Sequence, residues 1–593
     1  MQDINDKSEQ NGYYMNFSLD VDIIKNMLSA KVLYGLNKEN TSRDSYIPSD
    51  IYYALQRKSR GNLGYGKRQQ STLEGTLTFQ HKFGELLDMN LMAGMGRYLD
   101  SGDGSDISYE NANDHIQGSS VGMADGPFYP TSYKYKNEKR SQFVRGSFDL
   151  FGRYVVSASL RRDGTDKFFP SKKYALFPSV SLAWKMNEES FIKNISWINM
   201  LKLRASYGET GSDNLGTTLY GIVTTTREDV QFNNNSVTYI PYILSGANYE
   251  DVTWQKTVMK NIGLDFSIFR DRIWGSVDVF RNDVTHLLGT APTELLGMHG
   301  TRPINGGHYK RTGVDVSLNS LNLQTHDFKW TSQITMSHYN AVWIERMPNY
   351  DYQKYQKRKN EPMNAFYYYK TTGIIDVDKS NMPESQRSLG PAACMPGYPI
   401  VEDKNGDGII DVNDSYMDNM LPKLYFGFGN TFTWKNFDLD IFMYGQLGVK
   451  KWNDAYSYSA DAGNLSRGVD AHNVGIYSYN IWNTQTNTNG HFPGIAISKS
   501  VALPENLGFD YTRENASYIR VRNITLGYNL GPKELSVFKG YIRGIRVFVD
   551  FQNPLTFTKY KGYDPEINTS SSNLTGGQYP QMRVYSIGAK LTF

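Results

Sequence analysis

The segment RVYSIGAKLTF, residues 583–593, alternates between two kinds of side chain. One alternating set is apolar and the interleaved set is mostly small or polar; the apolar set is Tyr585, Ile587, Ala589, Leu591 and Phe593. A period of two is typical of a β-strand that lies between two different environments. An unpaired edge strand exposes a ladder of backbone N–H and C=O groups, which soluble proteins avoid. We therefore expect this strand to be paired, or the fold to close on itself.

The same alternation recurs along the chain, at residues 178–186, 201–210, 261–269, 312–320 and 544–553. Charged residues such as Arg204, Asp278 and Arg546 fall in the middle of the polar faces. Many segments run for ~10 residues, which is the length needed to cross a bilayer at a tilt, whereas soluble strands average ~5–6 residues. This pattern favours a membrane barrel with its apolar face toward lipid, and we expect the mid-strand charges to line the lumen.

Composition excludes several other classes of protein. The mean hydropathy is −0.53 and no apolar run approaches the ~18 residues of a transmembrane helix. The net charge is only +3, without a sustained basic stripe, so we expect no nucleic-acid partner. The single cysteine, Cys394, excludes an internal disulfide and a cysteine-based zinc cluster. The first residues, MQDINDKSEQNG, have neither a basic nor an apolar region, so the sequence predicts no signal peptide there.

Links between the predicted strands are of two kinds. DLFGRYV (149–155) and FRDRIW (269–274) are tight, whereas long polar links are expected at roughly 100–138, 211–253, 343–365, 376–422 and 449–516. Tight turns at one end and long loops at the other are typical of outer-membrane barrels. The sequence therefore predicts an all-β protein, an antiparallel transmembrane β-barrel with about 16–17 strands in this chain.

Several segments resemble SusC/RagA-type TonB-dependent transporters. They include LKLRASYGETGSDNLG, WQKTVMKNIGLDFSIFRDRIWGSVDVF, ASYIRVRNITLGYNL and YKGYDPEIN, and they span roughly residue 140 to the C-terminus in the family's order. The resemblance implies a 22-stranded outer-membrane barrel whose last strand pairs with its first. It also implies a SusD-like lipoprotein lid, outer-membrane lipid around the wall, energisation by the TonB complex, and an oligosaccharide or peptide ligand.

The chain departs from the family pattern in what it includes. We expect residues 1–593 to be a C-terminal portion of the barrel with no plug domain and no signal peptide, about five strands short of the family's number. TonB coupling would then need a plug supplied elsewhere, and outer-membrane location would need a signal peptide upstream in the intact protein. The prediction is a transporter barrel and not an enzyme. The alternatives are an inactive transporter fragment, or a secreted soluble β-rich carbohydrate-binding protein or glycosidase.

The segment DKNGDGIIDVND, residues 403–414, has the spacing of a calcium loop. Oxygen ligands fall at positions 1, 3, 5, 7, 9 and 12, with Gly408 at position 6; they are Asp403, Asn405, Asp407, Ile409 through its carbonyl, Asp411 and Asp414. We expect a structural Ca²⁺ that orders the 376–422 loop, the alternative being an acidic turn that binds nothing. A second acidic stretch, DSGDGSD, with Asp100, Asp103 and Asp106, lacks this spacing and is interpreted as a solvated loop.

Two further groups of residues invite a functional interpretation. Asp564 and Glu566 in GYDPE are close enough for acid–base chemistry, but without a partnered cleft we favour a structural turn. Six aromatic residues in the 449–516 loop could stack on sugar rings or pack on a lid protein, or could simply hold the loop together. They are Trp452, Tyr456, Tyr458, Tyr477, Tyr479 and Trp482.

Overall fold

The computed structural model describes most of the chain between residues 4 and 592. Its gaps are at 50–58, 113–120, 216–224, 228–231, 235–236, 240–241, 245–249, 293–300, 349–351, 358–359, 454–479, 495–502, 512, 533, 536, 538–540, 563 and 568–579.

One antiparallel sheet of 17 strands makes up most of the described chain, and each strand pairs with the next. This confirms the predicted all-β class and the expected strand number. The strands are β1 (Asn5–Ile24), β2 (Leu28–Ile47), β3 (Arg60–Phe83), β4 (Leu87–Glu110), β5 (Phe128–Leu150), β6 (Tyr154–Thr165), β7 (Tyr174–Lys185), β8 (Ile198–Ser212), β9 (Gln255–Ile268), β10 (Ile273–Pro292), β11 (Thr301–Gln324), β12 (Phe328–Glu345), β13 (Leu424–Trp434), β14 (Phe437–Leu447), β15 (Tyr518–Leu530), β16 (Gly544–Thr558) and β17 (Val584–Thr592).

Tight turns gather at one end of the sheet. Links of two to four residues join six hairpins there, at 25–27, 84–86, 151–153, 269–272, 325–327 and 435–436. Positive backbone φ angles at Asn26, Gly84 and Gly152 let the chain reverse within so few residues. The two tight links expected from the sequence are among them, and the long links lie at the opposite end, which we call the long-loop end.

The prediction of a loop at 100–138 is wrong for much of its length. Strand β4 continues to Glu110 and β5 begins at Phe128, so the stretch DSGDGSD lies inside a strand instead of a solvated loop. Asp100 pairs there with Arg68 on β3, at 2.9 Å. Both faces of the outer end of β4 are polar, so the alternation that marks a strand in the sequence is missing there.

The first and last strands are not paired with each other in the described part of the chain. Strand β1 pairs only with β2, and β17 pairs only with β16. The expected pairing of the last strand with the first is therefore not found. Seventeen consecutive strands are fewer than the 22 of the closed barrel that the resemblance implies.

The strand register separates an apolar face from a polar face. One row across β7–β11 places Leu182, Ala205, Ile262, Val279 and Val314 opposite one another. Ile262 is 63% exposed, as expected for a face that meets lipid and not a protein core.

The adjacent row across β8–β12 belongs to the polar face, and it joins Arg204, Gly263, Asp278, Asp315 and Ser337. The two periodic faces predicted from the sequence are thus confirmed. The only α-helix among the described residues is Ser190–Lys193, and no described helix is long and apolar enough to cross a membrane.

Candidate functional site

Ion pairs and hydrogen bonds line the polar face of the sheet. Arg204 on β8 contacts both carboxylate oxygens of Asp265 on β9, at 2.9 and 2.7 Å, and reaches Asp278 on β10 at 3.2 Å. Asp315 on β11 accepts a hydrogen bond of 2.6 Å from Ser337 on β12. Charged groups on this face therefore cross-link neighbouring strands.

Gly263 creates the space for the first of these ion pairs. A Cβ at this position would lie 2.3 Å from an Asp278 carboxylate oxygen and 2.7 Å from the Arg204 guanidinium. Any larger residue would therefore push the two charged groups apart. The glycine is needed here for close approach, since its backbone is ordinary strand.

A second ion pair lies on the polar face of β14–β16. Arg546 on β16 contacts Asp438 on β14, with their closest atoms at 2.5 Å. These side chains span the intervening strand β15 across Gly527, where a Cβ would come within 2.8 Å of both groups. Arg204, Asp278 and Arg546, the charges expected on the lumen face, thus all lie on the polar face, and all three are paired.

A folded unit lies at the long-loop end of the sheet. We call it the loop unit and define it as residues 365–422 with 503–510. Its short strands are Ala365–Tyr369, Thr371–Ile374, Pro399–Val401, Tyr416–Asn419 and Gly508–Phe509. Two clusters of buried side chains pack inside it. One contains Tyr369, Val401, Ile410 and Leu503, and the other contains Ile375, Ala393, Tyr398 and Ile400.

A buried glutamine links the segments of the loop unit. Gln386 donates to the backbone carbonyls of Ala393 and Pro399 and accepts from the N–H of Val401. Burial also raises the pKa of Tyr398 to about 12. Because the Gln386 amide is satisfied by three backbone groups, it fixes one arrangement of a segment that has little regular structure.

The acidic segment 403–414 forms a compact turn on the loop unit. Asp403 accepts from the N–H groups of Gly406 and Gly408, at 2.7 and 2.9 Å. Asp414 is fully buried and accepts from the backbone of Lys404 and Asp411. The glycines have φ angles of 74° and 82°, which suit the sharp turn expected at this spacing.

The candidate calcium ligands are held by the backbone of the turn itself. Asp407 accepts from Ile409 and from the Asn405 amide, and Asp411 accepts from Asn413. Over the described residues, no group of three or more His, Cys, Asp or Glu side chains is arranged to hold a metal ion. The calcium site therefore stays a prediction.

A buried charge cluster joins the wall to the loop that follows β16. Arg520 on β15 is 2% exposed and contacts Asp564 at 2.8 Å and Glu566 at 2.6 Å. Burial raises the pKa of Asp564, but the N–H groups of Glu566 and Gln581, together with Arg520, lower it more, so the net pKa lies below its usual value. Tyr444 also donates to Glu566, at 2.6 Å.

In this cluster the two carboxylates of GYDPE, Asp564 and Glu566, form ion pairs that anchor a turn. Sequence reasoning favoured such a turn but missed Arg520, which carries both contacts. In the sequence, Arg520 resembles any other polar residue of an alternating strand. Only its ion pair with Asp564, 44 residues later in the chain, shows its role in the cluster.

The structure describes little of the predicted aromatic contact set. Tyr456, Tyr458, Tyr477 and Tyr479 lie outside the described residues, as does the side chain of Trp452. Trp482 is 5% exposed, and its ring covers Gly397 on the loop unit. Trp482 is therefore packed in the protein, and ligand contact by the other five stays a prediction.

Comparisons with known proteins agree with this geometry. The sequence model of the family described as "TonB dependent receptor-like, beta-barrel" matches residues 1–553. TonB-dependent receptor P3 of Formosa agariphila is 26% identical over 99% of this chain and 58% of its own length. TonB-dependent receptor SusC of Bacteroides thetaiotaomicron is 27% identical over 78% of this chain and 44% of its own length.

The structure of the RagAB peptide transporter superposes on the whole chain with a TM-score of 0.80, at 20% sequence identity and over 63% of the matched chain. At this identity the likeness concerns the fold alone. The chain spans about half the length of the curated relatives that it matches. These relatives are outer-membrane proteins of a family of receptors and transporters, so the secreted soluble alternative is wrong. Together, the two-faced sheet, its loop asymmetry and these matches establish that the chain belongs to the TonB-dependent receptor-like β-barrel family of outer-membrane proteins.

Proposed function

We propose that the chain forms the wall and the long loops of a SusC-like TonB-dependent transporter, which imports oligosaccharides or peptides together with a SusD-like lipoprotein lid. The observation that carries this proposal is the family match over 553 residues, on a sheet with one polar and one apolar face. One relative is named SusC and one structural neighbour is a peptide transporter. Since the family comprises receptors and transporters, we assign the chain no enzymatic role.

The loop unit supports the proposal of a lid partner. Its apolar clusters give it a core of its own, yet Val377 and Met395 are about half exposed on its surface. The two residues flank the backbone hydrogen bonds that join Ile375 to Gly397 and Tyr398, so they lie on the same part of the unit. Exposed apolar side chains that adjoin one another on a surface are typical of a protein contact.

Uptake by cells tests the transport proposal directly. Deletion of the gene that encodes this chain should abolish uptake of one class of labelled oligosaccharide or peptide, and loss of TonB should have the same effect. In wild-type cells the chain should co-purify with a lipoprotein, and the Val377→Asp/Met395→Asp variant should lose that partner. The exposed Lys379→Asp change on the same unit is the matched control.

Two outcomes would count against this function. Uptake that continues in cells without TonB would contradict the TonB-dependent mechanism. A chain that assembles in the outer membrane but supports uptake of no oligosaccharide or peptide would favour the inactive-fragment alternative.

We also propose that segment 403–414 binds a structural Ca²⁺. Its support is the spacing of six oxygen ligands around Gly408. Binding would turn carboxylates that now accept backbone N–H groups toward a common point. The ion would then order the turn; it would take no part in transport chemistry.

Calcium titration with the purified protein tests this second proposal. Ca²⁺ should protect backbone amides of residues 403–414 from hydrogen exchange, and Asp403→Asn/Asp407→Asn should remove that protection. The control is Asp376→Asn, an acidic residue of the same unit outside the segment. Equal exchange with Ca²⁺ and with a chelator would show that the segment is an acidic turn that binds nothing.

A further inference from the structure

Three arginines lie close together on the apolar face of β4–β6, where positive charge is costly unless it is compensated. Arg97 on β4 is directly opposite Arg140 on β5, and Arg162 on β6 is opposite Gln142, two residues nearer the tight turns. The same face of these strands carries exposed apolar residues just below, namely Met95, Val144 and Leu160. The arginines therefore share a face with side chains that meet lipid.

Their height places these arginines at the edge of the hydrocarbon layer. Arg97 is ten residues beyond Leu87, where β4 leaves the tight-turn end. At about 3.3 Å per residue and a strand tilt near 40°, it lies roughly 25 Å from that end, about the height of the apolar band of such barrels. Because long loops are extracellular in outer-membrane barrels, this is the head-group level of the outer leaflet.

The local charge favours an anion at this place. Like charges directly opposite on paired strands destabilise a sheet, and Glu138 compensates only in part, at 2.9 Å from Arg97 and 2.5 Å from Arg140. Arg162 lies over the Tyr174 ring at 4.1 Å. Four residues farther toward the loops, the exposed Lys38 and Lys136 lie on the same face. Two arginines thus share the carboxylate of Glu138, beside a third arginine.

A groove runs from these arginines along the apolar face. Two adjoining cavities, of about 600 and 670 Å³, share the residues Val32, Gly75, Met95, Gln142 and Arg162. The floor of the groove is formed by the small residues Ala30, Gly75 and Ala93. A Cβ added at Gly75 would meet nothing within 4 Å, so the space above it is open. The groove therefore combines an apolar trough with a cationic upper end.

We propose that this groove binds one phosphorylated glycolipid of the outer leaflet. Its phosphate contacts Arg97, Arg140 and Arg162, and an acyl chain lies along the trough over Gly75. Arginine forms strong, directional hydrogen bonds with phosphate, and basic pockets at the membrane surface select anionic head groups. Single arginines at a membrane interface commonly extend toward water. Three arginines on adjacent strands above an open apolar trough instead match an amphiphile, because the charges suit its phosphate and the trough suits its acyl chain.

Lipid binding to the purified protein in a non-ionic detergent tests this proposal. The probes are diphosphorylated lipid A, the same lipid without its phosphates, and inorganic phosphate, with binding measured by native mass spectrometry. The Arg97→Gln/Arg140→Gln/Arg162→Gln variant should bind diphosphorylated lipid A about tenfold more weakly or worse. Glu138→Gln should strengthen binding, because it removes the competing carboxylate. Arg145→Gln/Arg161→Gln, on the polar face of the same strands, is the control and should leave binding unchanged.

A groove-filling variant separates the trough from the charges. Gly75→Phe has room for its Cβ and would place a ring in the trough, so it should weaken binding of both lipid forms, whereas the arginine variant should affect mainly the phosphorylated one. Heat-modifiable migration in electrophoresis verifies that each variant is folded. Equal affinity for the two lipid forms, or unchanged binding by the arginine variant, would overturn the proposal. Inorganic phosphate that displaces the lipid at micromolar concentration would indicate a soluble-anion site instead, and would also overturn it.

Discussion

The wall strands and the loop unit use apolar residues in opposite ways. Ile262, in the wall, is 63% exposed on a face that meets lipid, whereas Ile375, in the loop unit, is completely buried against Tyr398 and Ile400. The wall is held by backbone pairing and polar-face ion pairs, and its apolar residues are solvated by the membrane. The loop unit has little strand structure and depends on a small protein core. Isoleucine thus contacts the membrane in the wall and packs in a protein core in the loop unit.

The largest expected effect lies where the two regions meet. Arg520→Met removes the cation that pairs with the buried Asp564 and the partly exposed Glu566, and should destabilise this junction by about 3–5 kcal/mol. Hydrogen exchange of the backbone at 559–567 measures the loss. The exposed Arg522→Met, two residues along the same strand, is the control and should change exchange little. Equal effects of the two substitutions would mean that burial of the cluster does not matter.

A core substitution should affect only the loop unit. Ile375→Ala creates a cavity between Tyr398 and Ile400 and should cost about 2–5 kcal/mol in the unit's free energy of unfolding. Val377→Ala, two residues away and 53% exposed, should cost less than about 1 kcal/mol. Limited proteolysis of residues 365–422 distinguishes the variants, while the wall stays resistant. Unfolding of the wall by Ile375→Ala would show that the two regions are not independent.

A charge on the apolar face should affect only the wall. Ile262→Arg lies about halfway between the tight turns and the upper edge of the apolar band, and should cost about 2–4 kcal/mol. The neighbouring Asn261→Arg points to the polar face and should be close to neutral. Urea titration of the protein refolded in lipid vesicles gives both values. If Asn261→Arg proved the more costly, the assignment of the two faces would be reversed.

The smallest effect concerns a surface ion pair of the loop unit. Lys370 lies 2.7 Å from Glu402 and lowers the pKa of that carboxyl below its usual value near 4.5. The pair therefore stabilises the unit above pH 4.5, and its contribution is lost as the pH falls through the lowered pKa. Because both groups are partly exposed, Glu402→Gln should cost only about 0.5 kcal/mol at pH 7. Proteolysis of the unit at pH 7 and at pH 3 should show a smaller difference between variant and wild type at pH 3 than at pH 7.

Sequence reasoning succeeded where the signal is periodic and local. Alternation identified the strands around Arg204, Ile262 and Val314, and short links identified the tight turns at 149–155 and 269–274. It failed in the outer half of β4, which is polar on both faces, and it missed the start of β5 at Phe128. It also did not identify the apolar core of the loop unit, because Ile375, Tyr398 and Val401 follow neither a period of two nor a helical period.

The sequence by itself determined the two-faced strands and the all-β class, and it favoured the membrane-barrel type, since each follows from neighbours two residues apart and from loop length. Only the tertiary structure decided which polar groups meet. Arg204 and Asp265 are 61 residues apart, and Arg520 and Asp564 are 44 apart. The physical reason is register: a shift by one residue exchanges the two faces of a strand, and alternation alone does not say which rows become opposite. The pairing of Arg97 with Arg140 above the groove is set in the same way.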